Sequence, residues 1–337
     1  MNAALYDPDG GYYKRSDLKR WGKEGDYRTS PERSELFAAT FARYFAKLYY
    51  ELQQPPEWTI VEAGGGDGHF AAGVLRSLQA RFPQVFAATC YHLVEVSAAA
   101  REEASERVAE FGDHVSFEAP SRIGRGIYFS NELLDAFPVH RLVHDDEGLA
   151  ELYVGVDADG NFVWFVGPLS TPMLDDFCRE YSVELENKQI VEVNLEIDSW
   201  MAGVAEQLDA GYLITVDYGA ESADLYDVAL RPDGTLRGFS RHGFVDDVLA
   251  QPGDYDITST INWTQVQAAG ARFGFRTIEF APQDKFLLGA GLLAELEREL
   301  TKATTAAGKL SLTTGAREMI LPGGMASSFQ VLVQQKG

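Results

Sequence analysis

Glu62-Ala63-Gly64-Gly65-Gly66-Asp67-Gly68 follows directly on Trp58-Thr59-Ile60-Val61 and precedes a helical stretch from His69 to Phe82. The first of these runs is apolar and β-branched, the pattern of a strand buried on both faces. A strand, then glycines, then a helix lets a ligand lie against bare main chain at a helix N-terminus. Each glycine removes a Cβ that would hold the ligand off or forbid a positive φ. Few folds offer that arrangement, and the open, mostly parallel α/β sheet is foremost among them.

The rest of the chain agrees. A second strand is expected at Tyr91–Val96, a third at His114–Glu118, a fourth at Ile127–Ser130 and a fifth at Leu213–Gly219, with helices between them. Before the glycine loop, Ser30-Pro31-Glu32 opens a helix whose Phe37, Phe41, Tyr44, Leu48 and Leu52 share one face, and Gln54-Pro55-Pro56 ends it. Alternation from His140 to Gly167, with Asp157–Asn161 as a turn, predicts an inserted hairpin. Helical spacing returns at Met173–Glu186 and Ile197–Leu208, and 220–260 reads as a long polar loop. The C-terminal part supplies helices near Thr264–Phe273 and Leu287–Thr304 and strands near Thr277–Phe280 and Phe329–Val333. The expected organisation is a loop-and-helix extension over 1–56, the first part of the sheet domain over 57–139, an inserted hairpin and helical subdomain over 140–210, and the remainder over 211–337.

Charge narrows the partners. A formal net charge of −22 argues against phosphate backbones and anionic membrane surfaces; it would attract a basic protein or peptide, and taken by itself it first of all serves solubility. No apolar run approaches the roughly 18 residues of a membrane helix. Two scattered cysteines, Cys90 and Cys178, suggest neither a disulfide framework nor a zinc site, and no metal-ligand cluster is read from the sequence. With no signal pattern at the N-terminus, a cytoplasmic location is expected.

Two nucleotide chemistries use such a loop. Gly66, Gly68 and Ala71 fit the G-x-G-x-x-G/A dinucleotide fingerprint. Glu62 followed by Gly64, Gly66 and Gly68 fits the S-adenosylmethionine (SAM) loop, where a strand-end acid suits a ligand carrying an ammonium, a ribose diol and a sulfonium. Glu95, at the end of the second strand, can accept two hydrogen bonds from a ribose diol in either case.

Several blocks together resemble one family. Gly11-Tyr12-Tyr13, Gly22 to Glu32, Leu93 to Ser97, Asn131 to Val139, Asp217-Tyr218-Gly219, Gly234 to Gly238, His242 and Pro252 to Thr258 are similar, in order, to the MidA-like family of methyltransferases. The glycine loop departs from that family's common Gly-Pro-Gly-Arg-Gly at Gly65 and Asp67, and Leu133 and Leu134 replace its paired phenylalanines. The resemblance implies a class I, Rossmann-like methyltransferase: a mostly parallel sheet with an antiparallel edge strand, SAM as cofactor and a protein arginine as methyl acceptor. A SAM-binding assembly protein is the alternative, and an NAD(P)-linked oxidoreductase a more distant one.

Under that reading Glu62, Gly64, Gly66, Gly68, Glu95 and Asn131 hold the cofactor. Thr29 and Ser30 either close over it or cap the helix. Glu132, just past the fourth strand, is the first candidate to hold a guanidinium, because carboxylates bind one through paired hydrogen bonds. Asp135 and Asp217 are further candidates, each with a capping role beside the catalytic one. His242 is a candidate general base.

Overall fold

The structure is a computed structural model that describes residues 1–18, 35–146, 148–240, 243–321 and 328–337. Its strands, in chain order, are β1 (Trp58–Ala63), β2 (Thr89–Val94), β3 (Val115–Ser116), β4 (Ile123–Asn131), β5 (His140–Asp145), β6 (Gly148–Val156), β7 (Phe162–Gly167), β8 (Ile190–Val193), β9 (Leu208–Ala220), β10 (Arg237–Ser240), β11 (Gly243–Val245), β12 (Asp256–Thr258), β13 (Ile261–Asn262), β14 (Arg276–Pro282) and β15 (Phe329–Lys336). The main sheet runs β3-β2-β1-β4-β9-β15-β14, with β13 pairing β9 beside that path.

From β1 the order builds outward through β2 and β3 on one side and through β4 and β9 on the other, all parallel. The order of strand addition reverses between β1 and β4, and a crevice opens there at the strands' C-terminal ends. This is the α/β sheet the sequence implies, with one difference. The antiparallel strand, β15, is not at the edge: it lies between β9 and β14, antiparallel to both.

Both faces are covered. Helix Glu35–Glu51 lays Phe37, Phe41, Phe45 and Leu48 on one face, where the Phe41 ring sits 5.2 Å from Phe129 and 5.4 Å from Phe286, and Phe70 stacks on Phe129 at 4.5 Å. Helices Glu196–Gln207 and Trp263–Arg272 cover the other with Ile197, Met201, Trp263 and Val266. Trp58 and Ile60 of β1 feed the first core, Val61 and Ala63 the second, as the period of two requires.

Between β4 and helix Glu196–Gln207 the chain makes an antiparallel sheet, β7-β6-β5-β8, closed over helix Met173–Glu180. Its first and last strands are neighbours, His140 lying opposite Val193. That sheet is larger than the hairpin the alternation predicts. The segment 220–260 is not a plain loop: it holds a short helix, Ser222–Leu225, and a small sheet, β11-β10-β12. The helix expected over Leu287–Thr304 is two, Gln283–Ala290 and Leu292–Lys302, broken at Gly291 (φ +103°). A Cβ there would also come within 2.8 Å of Arg43 Nε. Helix Ala306–Ile320 follows without having been foreseen. The Ser30-Pro31-Glu32 helix start lies outside the described residues.

Candidate active site

A cavity of about 1330 Å³ occupies the crevice. One wall is the glycine loop, where Gly64, Gly66 and Gly68 take φ of +71°, +53° and +79°, values that side-chain-bearing residues avoid. Gly64 and Gly66 line the cavity, whereas Gly68 turns inward: a Cβ there would lie 3.0 Å from Ala104 Cβ, so this glycine lets helix Ala98–Val108 approach. The loop is fastened from below. Gly64 N–H donates to Val94 O at 2.8 Å. Asp67 pairs with His69 Nδ1 at 2.6 Å and with Arg107 at 3.0 Å, while Arg107 Nε also donates to the Asp67 carbonyl at 2.8 Å. Burial alone pushes the Asp67 carboxyl up, but His69 and Arg107 hold it below its ordinary value. Sequence reasoning missed Arg107, since nothing in its local pattern marks it.

Two acids face the loop. Glu62 is 5% exposed and accepts a hydrogen bond from the Tyr91 hydroxyl at 2.7 Å. Burial pushes its carboxyl up to about 8 against the opposing pull of Tyr91, with Asp67 and Glu95 adding to the rise. Glu95 accepts from Ser97 N–H at 2.7 Å and from Gly66 N–H at 2.9 Å. Its side chain is thereby held against the loop, and each carboxylate oxygen keeps further acceptor capacity.

The opposite wall begins where β4 ends. Glu132 has φ +52°, an uncommon conformation for a residue with a side chain, fixed by its N–H donating to Val216 O at 2.9 Å. Asn131 Nδ2 donates to Glu132 Oε1 at 3.0 Å, and both residues line the cavity. The Asn131 Oδ1 atom is buried with no hydrogen-bond partner among the described residues. Asp217 does not line the cavity. Fully buried, it accepts from the N–H groups of Leu134 (3.1 Å), Asp135 (3.4 Å) and Tyr218 (2.9 Å), so it clamps the turn that carries Glu132. Burial, with Asp135 and Glu132 close by, pushes its carboxyl well up.

Asp135 lines the cavity and accepts from the Tyr218 hydroxyl, while its Oδ1 has no partner among the described residues. Burial pushes it up to about 6, against the pull of the Tyr218 hydrogen bond and the Arg237 charge. The Arg237 guanidinium lies 4.5 Å from the Tyr218 ring centroid. Tyr6 and Tyr13, stacked at 5.5 Å, complete this wall with Phe239 and Phe244. Tyr13 donates to Asp256 Oδ1 at 2.7 Å. Thr29, Ser30 and His242 lie outside the described residues.

The site thus has a glycine half carrying Glu62 and Glu95 and an aromatic half carrying Glu132, Asp135 and Asp256. The first half fits SAM: bare main chain at Gly64 and Gly66, two acids for an ammonium and a ribose diol, and the orphaned Asn131 Oδ1 as a waiting acceptor. Among the described residues no group of three or more His, Cys, Asp or Glu is arranged to hold a metal ion, and no helix is long and apolar enough to cross a membrane.

Comparison with known proteins agrees with this geometry. A family model described as "Putative S-adenosyl-L-methionine-dependent methyltransferase" matches residues 40–281. The mouse protein named protein arginine methyltransferase NDUFAF7, mitochondrial, is 26% identical over 98% of this chain and 78% of its own. Its Drosophila melanogaster homolog is 25% identical over 100% and 80%. A crystal structure from Burkholderia thailandensis, bound to S-adenosyl-homocysteine, superposes with a TM-score of 0.88 at 26% identity, covering 100% of this chain and 86% of that one. The expectation of a cytoplasmic location is overturned, since these curated relatives are named mitochondrial.

Proposed function

The chain belongs to the family of S-adenosyl-L-methionine-dependent methyltransferases, and from that premise we propose that it methylates a guanidinium nitrogen of a protein arginine. The names of the curated relatives support the acceptor, as does the acid-lined aromatic half of the cavity. The net charge of −22 favours a basic stretch of protein around that arginine. The NAD(P) register of Gly66, Gly68 and Ala71 has no counterpart in the family's cofactor.

In this reading Gly64 and Gly66 offer main chain to the cofactor, Gly68 shapes the loop, Glu95 receives the ribose diol, Asn131 offers a polar edge, and Glu62 receives the ammonium, whose positive charge draws off the proton that burial otherwise holds on this carboxyl. When bound, SAM supplies an electrophilic methyl carbon. Glu132 accepts two N–H groups of the guanidinium and fixes its plane, so that one nitrogen is aimed and polarised. Asp135, whose carboxyl titrates just below neutrality, takes the proton the nitrogen gives up. Asp217 positions the turn without touching the substrate. Tyr6, Tyr13 and Phe239 exclude water from the side chain they enclose.

The observation that carries the proposal is Glu132, held at a left-handed φ at the end of β4 with its carboxylate lining the cavity. Glu132→Gln keeps the shape and removes the charge. Turnover on an arginine-rich protein, read by mass spectrometry, should fall by about 10²-fold or more, while S-adenosyl-homocysteine affinity by calorimetry stays within a few-fold. Equal turnover in the variant removes Glu132 from this role.

A further inference from the structure

The inserted sheet ends in an edge, β7, whose outer side no strand of the described residues pairs with, although the Arg141 guanidinium lies 4.6 Å from the Trp164 ring centroid on one of its faces. β7 reads Phe162-Val163-Trp164-Phe165-Val166-Gly167, with no charge, no proline and a regular register against β6. Natural edges are usually blunted by lysine, proline, a bulge or a covering segment, because a bare edge is a template for another strand. Here Phe162, Val163, Phe165 and Val166, with Val154 and Val156 beside them, are 36–63% exposed. Phe162 and Val166 share one face with Val154 and Val156, and Val163 and Phe165 lie on the other, so the strand is apolar on both faces, a mark of an interaction site.

The backbone of that edge is ordered for pairing. Asp157 N–H donates to Asn161 O at 2.9 Å. Bonded and unbonded pairs alternate along an antiparallel ladder. Given the register Val156↔Phe162 to Leu152↔Val166, the N–H and C=O groups of Val163 and Phe165 therefore point at β6. Those of Phe162, Trp164 and Val166 point away from it, and among the described residues none makes a hydrogen bond to them.

We propose that β7 pairs antiparallel with β7 of a second copy of this chain, across a two-fold axis at Trp164, joining two inserted sheets into one. The outward groups are symmetric about Trp164, so Phe162 meets Val166 of the other copy, Trp164 meets its twin, and Val163 meets Phe165. Each contact is apolar against apolar, as a self-complementary two-fold interface requires. Charge singles out the same place. Two chains of net charge −22 repel over most of their surface, and the contact needs a face free of acids. Phe162–Gly167 and the facing Leu152–Val156 carry none.

The test is sedimentation velocity of the full chain across a concentration series, with three variants. The wild type should move from monomer to dimer with rising concentration. Val166→Lys sets a cation opposite Phe162 twice per dimer and should weaken association on the order of tenfold or more. Phe162→Pro removes an outward N–H that β6 does not use, so it should weaken the dimer while leaving the hairpin folded. Phe162→Glu combined with Val166→Lys sets opposite charges across the axis and should recover association relative to Val166→Lys alone. Circular dichroism and S-adenosyl-homocysteine binding confirm that each variant is folded. A wild type that stays monomeric throughout, or a dimer indifferent to both Val166→Lys and Phe162→Pro, overturns the proposal.

Discussion

Glu62 links the site to pH. Its folded-state value of about 8 lies above the ordinary 4.5, so between those values the folded chain keeps a proton that the unfolded chain has released. The fold is thus favoured at the acid end of that window, and this contribution is lost as pH rises from about 4.5 to 8. Glu62→Gln keeps an acceptor for Tyr91 but cannot ionise, and should flatten that part of the stability curve, raising the melting temperature at pH 8 relative to wild type. Parallel melting curves for the two proteins from pH 5 to 9 would sink this account. Glu62, Gly66, Glu95 and Glu132 were legible in the sequence because each sits at or just past a strand end, where an α/β sheet puts its ligands. Arg107, Tyr13, Tyr218, Arg237 and Asp256 were not legible as members of the site. Their partners are distant in the chain, as with Tyr13 and Asp256, 243 positions apart, and only the folded sheet brings them together.

Helix Glu35–Glu51 shows where periodicity suffices. Phe37, Phe41, Tyr44 and Leu48 recur at three and four residues and all are buried. Phe41 meets five other phenylalanine rings within 6 Å, Phe37, Phe45, Phe70, Phe129 and Phe286. Phe41→Ala should therefore cost about 3–5 kcal/mol in denaturant unfolding. A loss below about 1 kcal/mol would mean that the helix is peripheral to the core. The small sheet β11-β10-β12 shows where periodicity fails: strands of three or four residues are too short for alternation to stand out from a polar loop. The placing of β15 inside β14 is likewise invisible locally, because an apolar run of residues marks a buried strand without naming the strands beside it.

Across the whole molecule, the excess of acids acts at a distance. A basic peptide approaching a chain of net charge −22 is drawn in at low ionic strength, and salt screens that attraction. For an arginine-rich peptide, KM should rise between about 0.01 and 0.15 M salt, where the screening length shortens from about 30 to 8 Å. The kcat should stay nearly constant. A near-neutral peptide with the same arginine should show little change, and equal salt dependence for the two would exclude steering by the net charge. Fold class and cofactor could be argued from the sequence because they rest on a local strand–loop–helix pattern and ordered blocks. Compartment could not, since nothing in those patterns depends on it.

The inserted sheet departs from the main body just past the turn bearing Glu132 and Asp135, and its first and last strands lie side by side at His140 and Val193. It is a handle whose two roots share one mount, and that mount is the lip of the cavity. A partner held by the handle is therefore carried beside the cavity mouth, next to Pro138 and Glu196, which line it.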